Sequence, residues 1–390
     1  MIELERIPVS SPASVTVFRK ILTHGPIGRS DVARATGLSQ AAVTKAVNPL
    51  IAAGYVEESA AERAGVGAGR PISPLVVVRD RAYIVGVKVT ADRSYGVLTD
   101  LNAQVLATAS AANASPAVDD VVTAVTEVVA ELRALSPGEV LGGVGVTVSG
   151  DVDSWAGRVR DSPLMGWKAV DLRTILESRL SLPVTLENDV RALTVSEQLF
   201  GLGVDADSFA VVTIGAGIGC GIFVNGGIVE GANGVSGEIG HLPLAPENLV
   251  CTCGRRGCVE TVASSRAILE RIQSLVGSRP ETIGEAFALA HAGDPIVIET
   301  FARAGDVIGS ALAALVNLIG PELVIIAGEG VAEFDLYADH IRGRFAEHAF
   351  GAAANCEILL RSHSFDDWAR GAAAVVIRGI AAGAGDNVSV

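Results

Sequence analysis

Between Ser14 and Glu58, apolar residues recur three times at helical spacing. Val15, Val17, Phe18, Ile21 and Leu22 form one stripe, which stops at His24-Gly25-Pro26. Ser30 reads as the N-cap of a short second helix through Val32, Ala33 and Ala35, ended by Gly37. Ser39 caps a third helix, Gln40 to Ala53, with Val43, Val47, Leu50 and Ile51 inward and Pro49 expected to kink it. Tyr55–Glu58 and Ile72–Val78 then read as two short strands. From Ala82 the pattern changes to strand, strand, helix: Tyr83–Val89, Gly96–Asp100 and Val105–Ala109, the helix Val118–Leu135, and the strand Val140–Val148. A second such unit begins at Phe209, with strands Phe209–Ile214, Gly219–Val224 and Ile228–Val229. The helix Ile308–Ile319 and the strand Leu323–Ala327 follow. Two sheet-plus-helix halves, each opening on a hairpin, predict a duplicated α/β lobe with a cleft.

The first segment has the order of a winged helix-turn-helix: short second helix, tight turn, capped third helix, hairpin. Its third helix offers Ser39, Gln40, Ala41, Thr44, Lys45 and Asn48 outward, groups able to reach base edges and phosphates from a major groove. Gly69-Arg70-Pro71 places Arg70 in a minor groove or forms an ordinary interdomain turn; the residues alone leave both open.

Composition narrows the class. Half of the 390 residues are hydrophobic (49%) but only 4% are aromatic, which suits packed α/β layers and excludes a disordered chain. No charge-free apolar run of membrane-spanning length is expected, nor a signal peptide in Met1–Ser14, so the chain reads as cytoplasmic. The net charge of −14 hides an asymmetry: residues 1–72 carry net +2, which leaves −16 on the rest. Any DNA contact is thereby confined to the basic head.

Three of the five cysteines, Cys251, Cys253 and Cys258, crowd into a glycine-rich loop ten residues after His241. One imidazole and three thiolates form a closed tetrahedral set, the donor set of structural zinc, with no position left for a reactive water. Glu187-Asn188-Asp189, at the end of the strand Val184–Leu186, could bind or deprotonate a hydroxyl; taken alone, the stretch reads as a helix cap. Gly215-Ala216-Gly217-Ile218-Gly219-Cys220-Gly221 resembles a phosphate cradle. It lacks a P-loop lysine and runs strand to strand, so it is neither a Walker A nor a Rossmann turn, and a ligand-free hairpin competes.

Taken in order, ENDVRA (187–192), TIGAGIGCGI (213–222), GVSGEIGH (234–241), CTCGRRGCVE (251–260) and DDWARGAAAV (366–375) closely resemble ROK proteins, a family of sugar-responsive repressors and sugar kinases. The resemblance implies a duplicated, actin-like ribonuclease-H fold whose lobes clasp a sugar. It further implies that Ser149, Gly150, Asn188, Asp189, Glu238, His241 and Glu260 contact that sugar. In the family's kinases, the residue matching Asp189 is the catalytic base.

The departures separate the branches. Where ROK kinases carry an Asp-x-Gly-Gly-Thr hairpin for phosphates and magnesium, this chain has Lys88-Val89-Thr90-Ala91-Asp92, and Gly328-Glu329-Gly330 replaces a run of three glycines. Losing that cradle removes most of what catalyses phosphoryl transfer, so no ATP or magnesium is expected. The expectation is therefore a sugar-responsive repressor, not an enzyme, built as a homodimer or homotetramer on operator DNA. Residues 1–80 would be the winged helix and 81–200 the first lobe, completed by 370–390. Residues 201–369 would form the second lobe with the zinc loop. The competing expectation is an ATP-dependent sugar kinase carrying a DNA-binding head.

Overall fold

The computed structural model describes residues 7–59, 73–137, 141–277 and 280–383, which divide into one unit of residues 1–204 with 365–390 and a second of 205–364. In the first, Ser11 opens α1 (Pro12–His24) through a reciprocal capping box with Ser14, and the helix buries Val17, Phe18, Ile21 and Leu22. The short α2 (Arg29–Thr36) has Gly28 at its N-cap, so Ser30 lies inside the first turn rather than capping it. Pairing one residue earlier explains the shift. Ile27 exchanges backbone hydrogen bonds with Leu75 (3.1 and 2.8 Å), so the chain leaves extended geometry at Gly28. Gly37 ends α2 at φ +68°, a conformation costly for any residue with a Cβ.

Ser39 caps α3 (Gln40–Ala52) by accepting from the Ala42 N–H, and Val43, Val47 and Leu50 are buried. The helix continues past the exposed Pro49, whose carbonyl accepts from the Ala53 N–H at 3.0 Å where the helix ends. β1 (Val56–Glu58) and β2 (Leu75–Val77) pair antiparallel as a wing. Arg70, with Gly69, Pro71 and Ile72, lies outside the described residues.

β3 (Tyr83–Val89), β4 (Arg93–Thr99) and β5 (Val105–Ala112) form an antiparallel meander. After α4 (Val118–Ala134), β6 (Leu141–Val148) joins β3 in parallel. A small sheet follows that hydrophobic periodicity did not predict: β7 (Asp151–Asp153), β8 (Arg158–Ser162) and β9 (Trp167–Val170). Then come α5 (Leu172–Leu180), β10 (Val184–Asn188) parallel to β6, and α6 (Asp189–Phe200).

The second unit opens on the meander β11 (Ser208–Ile214), β12 (Ile218–Val224) and β13 (Gly227–Ile228). Helices α7 (Glu260–Ala263), α8 (Ser265–Val276), α9 (Ile283–His291) and α10 (Pro295–Ile319) lead to β14 (Leu323–Ala327), parallel to β11. After α11 (Asp335–His348), β15 (Glu357–Leu360) adds parallel to β14. The strand order β13-β12-β11-β14-β15 repeats β5-β4-β3-β6-β10, with the same directions. The expected duplication is therefore present in the topology. α10 starts thirteen residues earlier than its apolar stretch suggested. By length and composition it could cross a membrane, but it carries Glu299, Arg303 and Asp306 and buries Phe301, Ile308, Leu312 and Val316 in the core of its own unit.

The last helix, α12 (Phe365–Ala381), returns to the first unit. Its Ala373, Val376, Ile377 and Ala381 share one apolar core with Phe18, Val47 and Leu50 of the winged helix and Ile84 of β3. Head and first lobe are thus joined by packing, not merely by chain. The close approach depends on glycine: a Cβ at Gly86 would lie 2.0 Å from the Ala369 carbonyl oxygen. Gly86→Ala is expected to cost about 1–3 kcal/mol in urea unfolding, because a backbone group must move. A change below about 0.5 kcal/mol, the usual surface value, would mean that α12 does not seat on β3.

Candidate functional site

The parallel strand β10 delivers Glu187, Asn188 and Asp189 to the start of α6. Asn188 is the helix cap: its Oδ1 accepts from the N–H groups of Val190 (3.0 Å) and Arg191 (3.1 Å). Its Nδ2 donates to the Gly150 carbonyl at 3.0 Å, leaving one amide hydrogen for a ligand. Gly150 has φ +113°, and a Cβ there would lie 2.4 Å from the Asp161 carbonyl oxygen, so only glycine fits.

Asp189 is buried beside Lys88 of β3, which donates to its Oδ2. Ser149 also donates to that oxygen, at 2.5 Å, and accepts from Lys88 at 3.2 Å. Burial by itself would raise the Asp189 carboxyl. The Lys88 charge and the hydrogen bonds from Lys88, Ser149 and the Val190 N–H outweigh it and hold the group below the usual carboxylate range. A paired carboxylate whose ionised form is favoured in this way accepts hydrogen bonds well and takes up protons poorly.

Glu187 and Arg191, also buried, form a second pair at 2.6 Å. Glu187 accepts from Ser154 (2.7 Å), and Arg191 donates to the Val152 carbonyl (2.8 Å), which fastens the small sheet to the start of α6. Sequence reasoning missed this support; its trace was the i, i+4 spacing of glutamate and arginine in ENDVRA.

In the second unit, Glu260 begins α7 and accepts from the Ile218 N–H at 2.9 Å, beside the glycine turn. Glu329 lies against the same turn: a Cβ on Gly215 would come within 1.9 Å of its carboxylate oxygen. The hairpin that resembled a phosphate cradle thus carries a carboxylate against its first glycine, a charge that opposes a polyphosphate.

His241 ends a short 3-10 turn, Ile239–His241. Its Nδ1 is 3.7 Å from Cys251 Sγ, and Cys253 and Cys258 have sulfurs 3.8 Å apart. All four donor atoms lie within 4.8 Å of one another. A tetrahedral zinc needs donor separations of about 3.6–3.8 Å, so the set fits a metal. Gly254 (φ +84°) and Gly257 (φ +72°) turn the loop that brings the sulfurs together. Burial and the neighbouring thiols push the Cys258 thiol up. The other ring nitrogen of His241, Nε2, faces Glu238 Oε2 at 3.8 Å, so one imidazole borders both the metal donors and a proposed sugar ligand.

On the winged helix, Ser39, Gln40, Ala41, Thr44, Lys45 and Asn48 are all exposed. Positions 41, 44, 45 and 48 follow i, i+3, i+4, i+7 spacing, so they share one face, opposite buried Val43, Val47 and Leu50.

The profile of the ROK family matches residues 84–378. The chain is 27% identical to the xylose repressor of Bacillus subtilis (strain 168), over 89% of each sequence. It is 31% identical to the DNA-binding transcriptional dual regulator NagC of Escherichia coli (strain K12), over 81% of this chain and 80% of that one. Among solved structures, it resembles a ROK family transcriptional regulator, a homologue of the Escherichia coli MLC protein. That match has a TM-score of 0.80 and 26% identity and covers 95% of this chain and 96% of that one. A ROK family glucokinase from Streptomyces griseus, in complex with glucose and AMPPNP, aligns with TM-score 0.65 and 27% identity. It covers 98% of the glucokinase but 75% of this chain.

Proposed function

The chain belongs to the ROK family, and on that premise we propose that it is a sugar-responsive, DNA-binding transcriptional repressor acting in the cytoplasm. The observation that carries this is the winged helix packed on a kinase-like body whose Asp189 is paired with Lys88. In this reading residues 1–80 contact operator DNA through Ser39, Gln40, Ala41, Thr44, Lys45 and Asn48, with Arg70 as a minor-groove contact. Two heads of a homodimer or homotetramer meet two half-sites. The rest of the first unit and the second unit, residues 205–364, are the two lobes.

Ser149, Gly150, Asn188 and Asp189 of the first unit and Glu238, His241 and Glu260 of the second are the proposed sugar ligands. His241, Cys251, Cys253 and Cys258 hold a structural zinc, which supplies rigidity and fixes the His241 ring rather than taking part in chemistry. Sugar acts through its different affinity for the DNA-competent and DNA-incompetent states. The packing of α12 against both the head core and α6 offers a mechanical route within the first unit.

Fluorescence anisotropy on DNA upstream of the gene, at fixed salt with and without a sugar panel, tests the reading. Tight binding that one sugar changes supports it; no specific DNA binding under any sugar would move the weight to sugar phosphorylation. In the same assay Lys45→Ala is expected to weaken binding uniformly across sequences and to reduce the salt slope by about 1. An unchanged slope would remove Lys45 from the phosphate contacts.

A kinase reading keeps two observations in its favour, the presence of Asp189 itself and the glycine hairpin Gly215–Gly221. Turnover above about 1 s⁻¹ with Mg-ATP and a hexose would establish it.

A further inference from the structure

Lys88 is 5% exposed, an unusual place for an ammonium, and so far it has served only as the partner of Asp189, with no part in choosing the ligand. It sits at the centre of a closed ring of hydrogen bonds: it donates to Asp189 Oδ2 and to Ser149 Oγ, and Ser149 donates to the same Asp189 oxygen. The indole of Trp368 on α12 covers it, with the nitrogen 5.4 Å from the ring centroid. Asp189 Oδ1 takes the Val190 N–H at 2.9 Å and still has one lone pair open. The group is thus neutral as a whole, with two ammonium hydrogens committed and an aromatic face beside the third.

We propose that Lys88 is a built-in counter-ion that keeps Asp189 a hydrogen-bond acceptor and restricts the effector at this site to uncharged sugars. This rests on the sugar-responsive reading above and names the chemical class of its ligand. A sugar hydroxyl needs only an acceptor, which Asp189 supplies. A phosphate ester brings close to two negative charges and three acceptor oxygens, and must be met by cations. Lys88 is already engaged, and the neighbouring Arg191 is tied to Glu187 and to the Val152 carbonyl. A phosphosugar would therefore bring its charge into a buried setting where both of these cations are already paired, and an uncompensated buried charge is costly. Lys88 is here a specificity-determining positioning residue, acting through Asp189.

The test uses calorimetric titration of the full chain with D-xylose, D-glucose, N-acetyl-D-glucosamine and the 6-phosphates of the two hexoses. The wild-type protein is expected to bind an unphosphorylated sugar at least about tenfold more tightly than its phosphate ester. Asp189→Asn, which leaves the Lys88 ammonium without its counter-charge, is expected to reverse that preference. Inorganic phosphate is likewise expected to raise its thermal midpoint but not that of the wild type. A merely structural Lys88–Asp189 pair would weaken both sugar forms equally in Asp189→Asn, and that result overturns the proposal. So does a wild-type preference for the phosphate ester, which leaves the sugar-responsive reading standing. Absence of binding by every sugar in either form overturns both. The wild-type comparison needs no variant and decides the matter even if Asp189→Asn folds poorly.

Discussion

Lys88→Met is expected to destabilise the first unit by about 3–5 kcal/mol, the cost of breaking a buried ion pair from one side. Methionine fills much of the lysine volume, so little of the loss comes from a cavity. What remains is a carboxylate held away from water by β3, α6 and α12, with only Ser149 and the Val190 N–H to satisfy it. The double variant Lys88→Met with Asp189→Asn removes both charges and is expected to recover most of the stability, so the two changes are strongly non-additive.

The pH dependence has a definite sign. In the wild type the folded-state pKa of Asp189 lies below its unfolded value. Its stabilising contribution is therefore complete above the ordinary carboxylate range and is lost as pH falls through the depressed value. In Lys88→Met the opposing burial effect is left alone and raises that pKa, so protonation relieves the unpaired charge. The stability gap between variant and wild type should narrow as pH falls from about 8 towards 5. Urea unfolding across that range checks both claims. A loss below about 1 kcal/mol, the value of an exposed pair, would mean the pair is not buried as described.

The second large effect concerns the metal donors. The purified protein is expected to carry one zinc per chain, and Cys258→Ser to lose it. Loss of a structural metal belongs to the changes that cost more than about 4 kcal/mol. Only part of that should appear as global unfolding, because Val259, Ile268 and Phe301 keep a core of their own beside the loop. The sugar response should suffer more, since the His241 ring loses the bond that orients it towards Glu238. Cys356→Ser is the control: that cysteine is outside the donor set and its substitution should leave the zinc in place. Elemental analysis of the three proteins decides. Full metal content in Cys258→Ser, or none in wild type purified without chelator, would sink the assignment.

Much of this was legible along the chain because the signals are local. Three helical stripes and a capping serine predict the winged helix, and short apolar runs broken by turns predict both meanders. The thiolate spacing after His241 predicts a donor set because a short glycine turn can close it without help from the rest of the fold. The small sheet β7–β9 was not legible: its strands of three to five residues, such as Asp151–Asp153, are too polar and short to show a period. Ser30 misled for a related reason, since the start of α2 is set by Ile27 pairing with Leu75, 48 residues away.

The same division separates chemistry from use. Residue types and spacing told which groups could bind hydroxyls, hold a metal or touch DNA, and they marked Lys88 as out of place. They could not say what Lys88 does, because its partner is 101 positions distant. Ion pairing between remote residues depends on β3, β6 and α6 converging and on exclusion of water, and neither leaves a pattern in a linear chain. The union of the head with the first lobe has the same origin. Ala373, Val376 and Ile377 of α12 read in sequence as an ordinary apolar face, and folding alone brings them to the core of a winged helix more than 300 residues earlier.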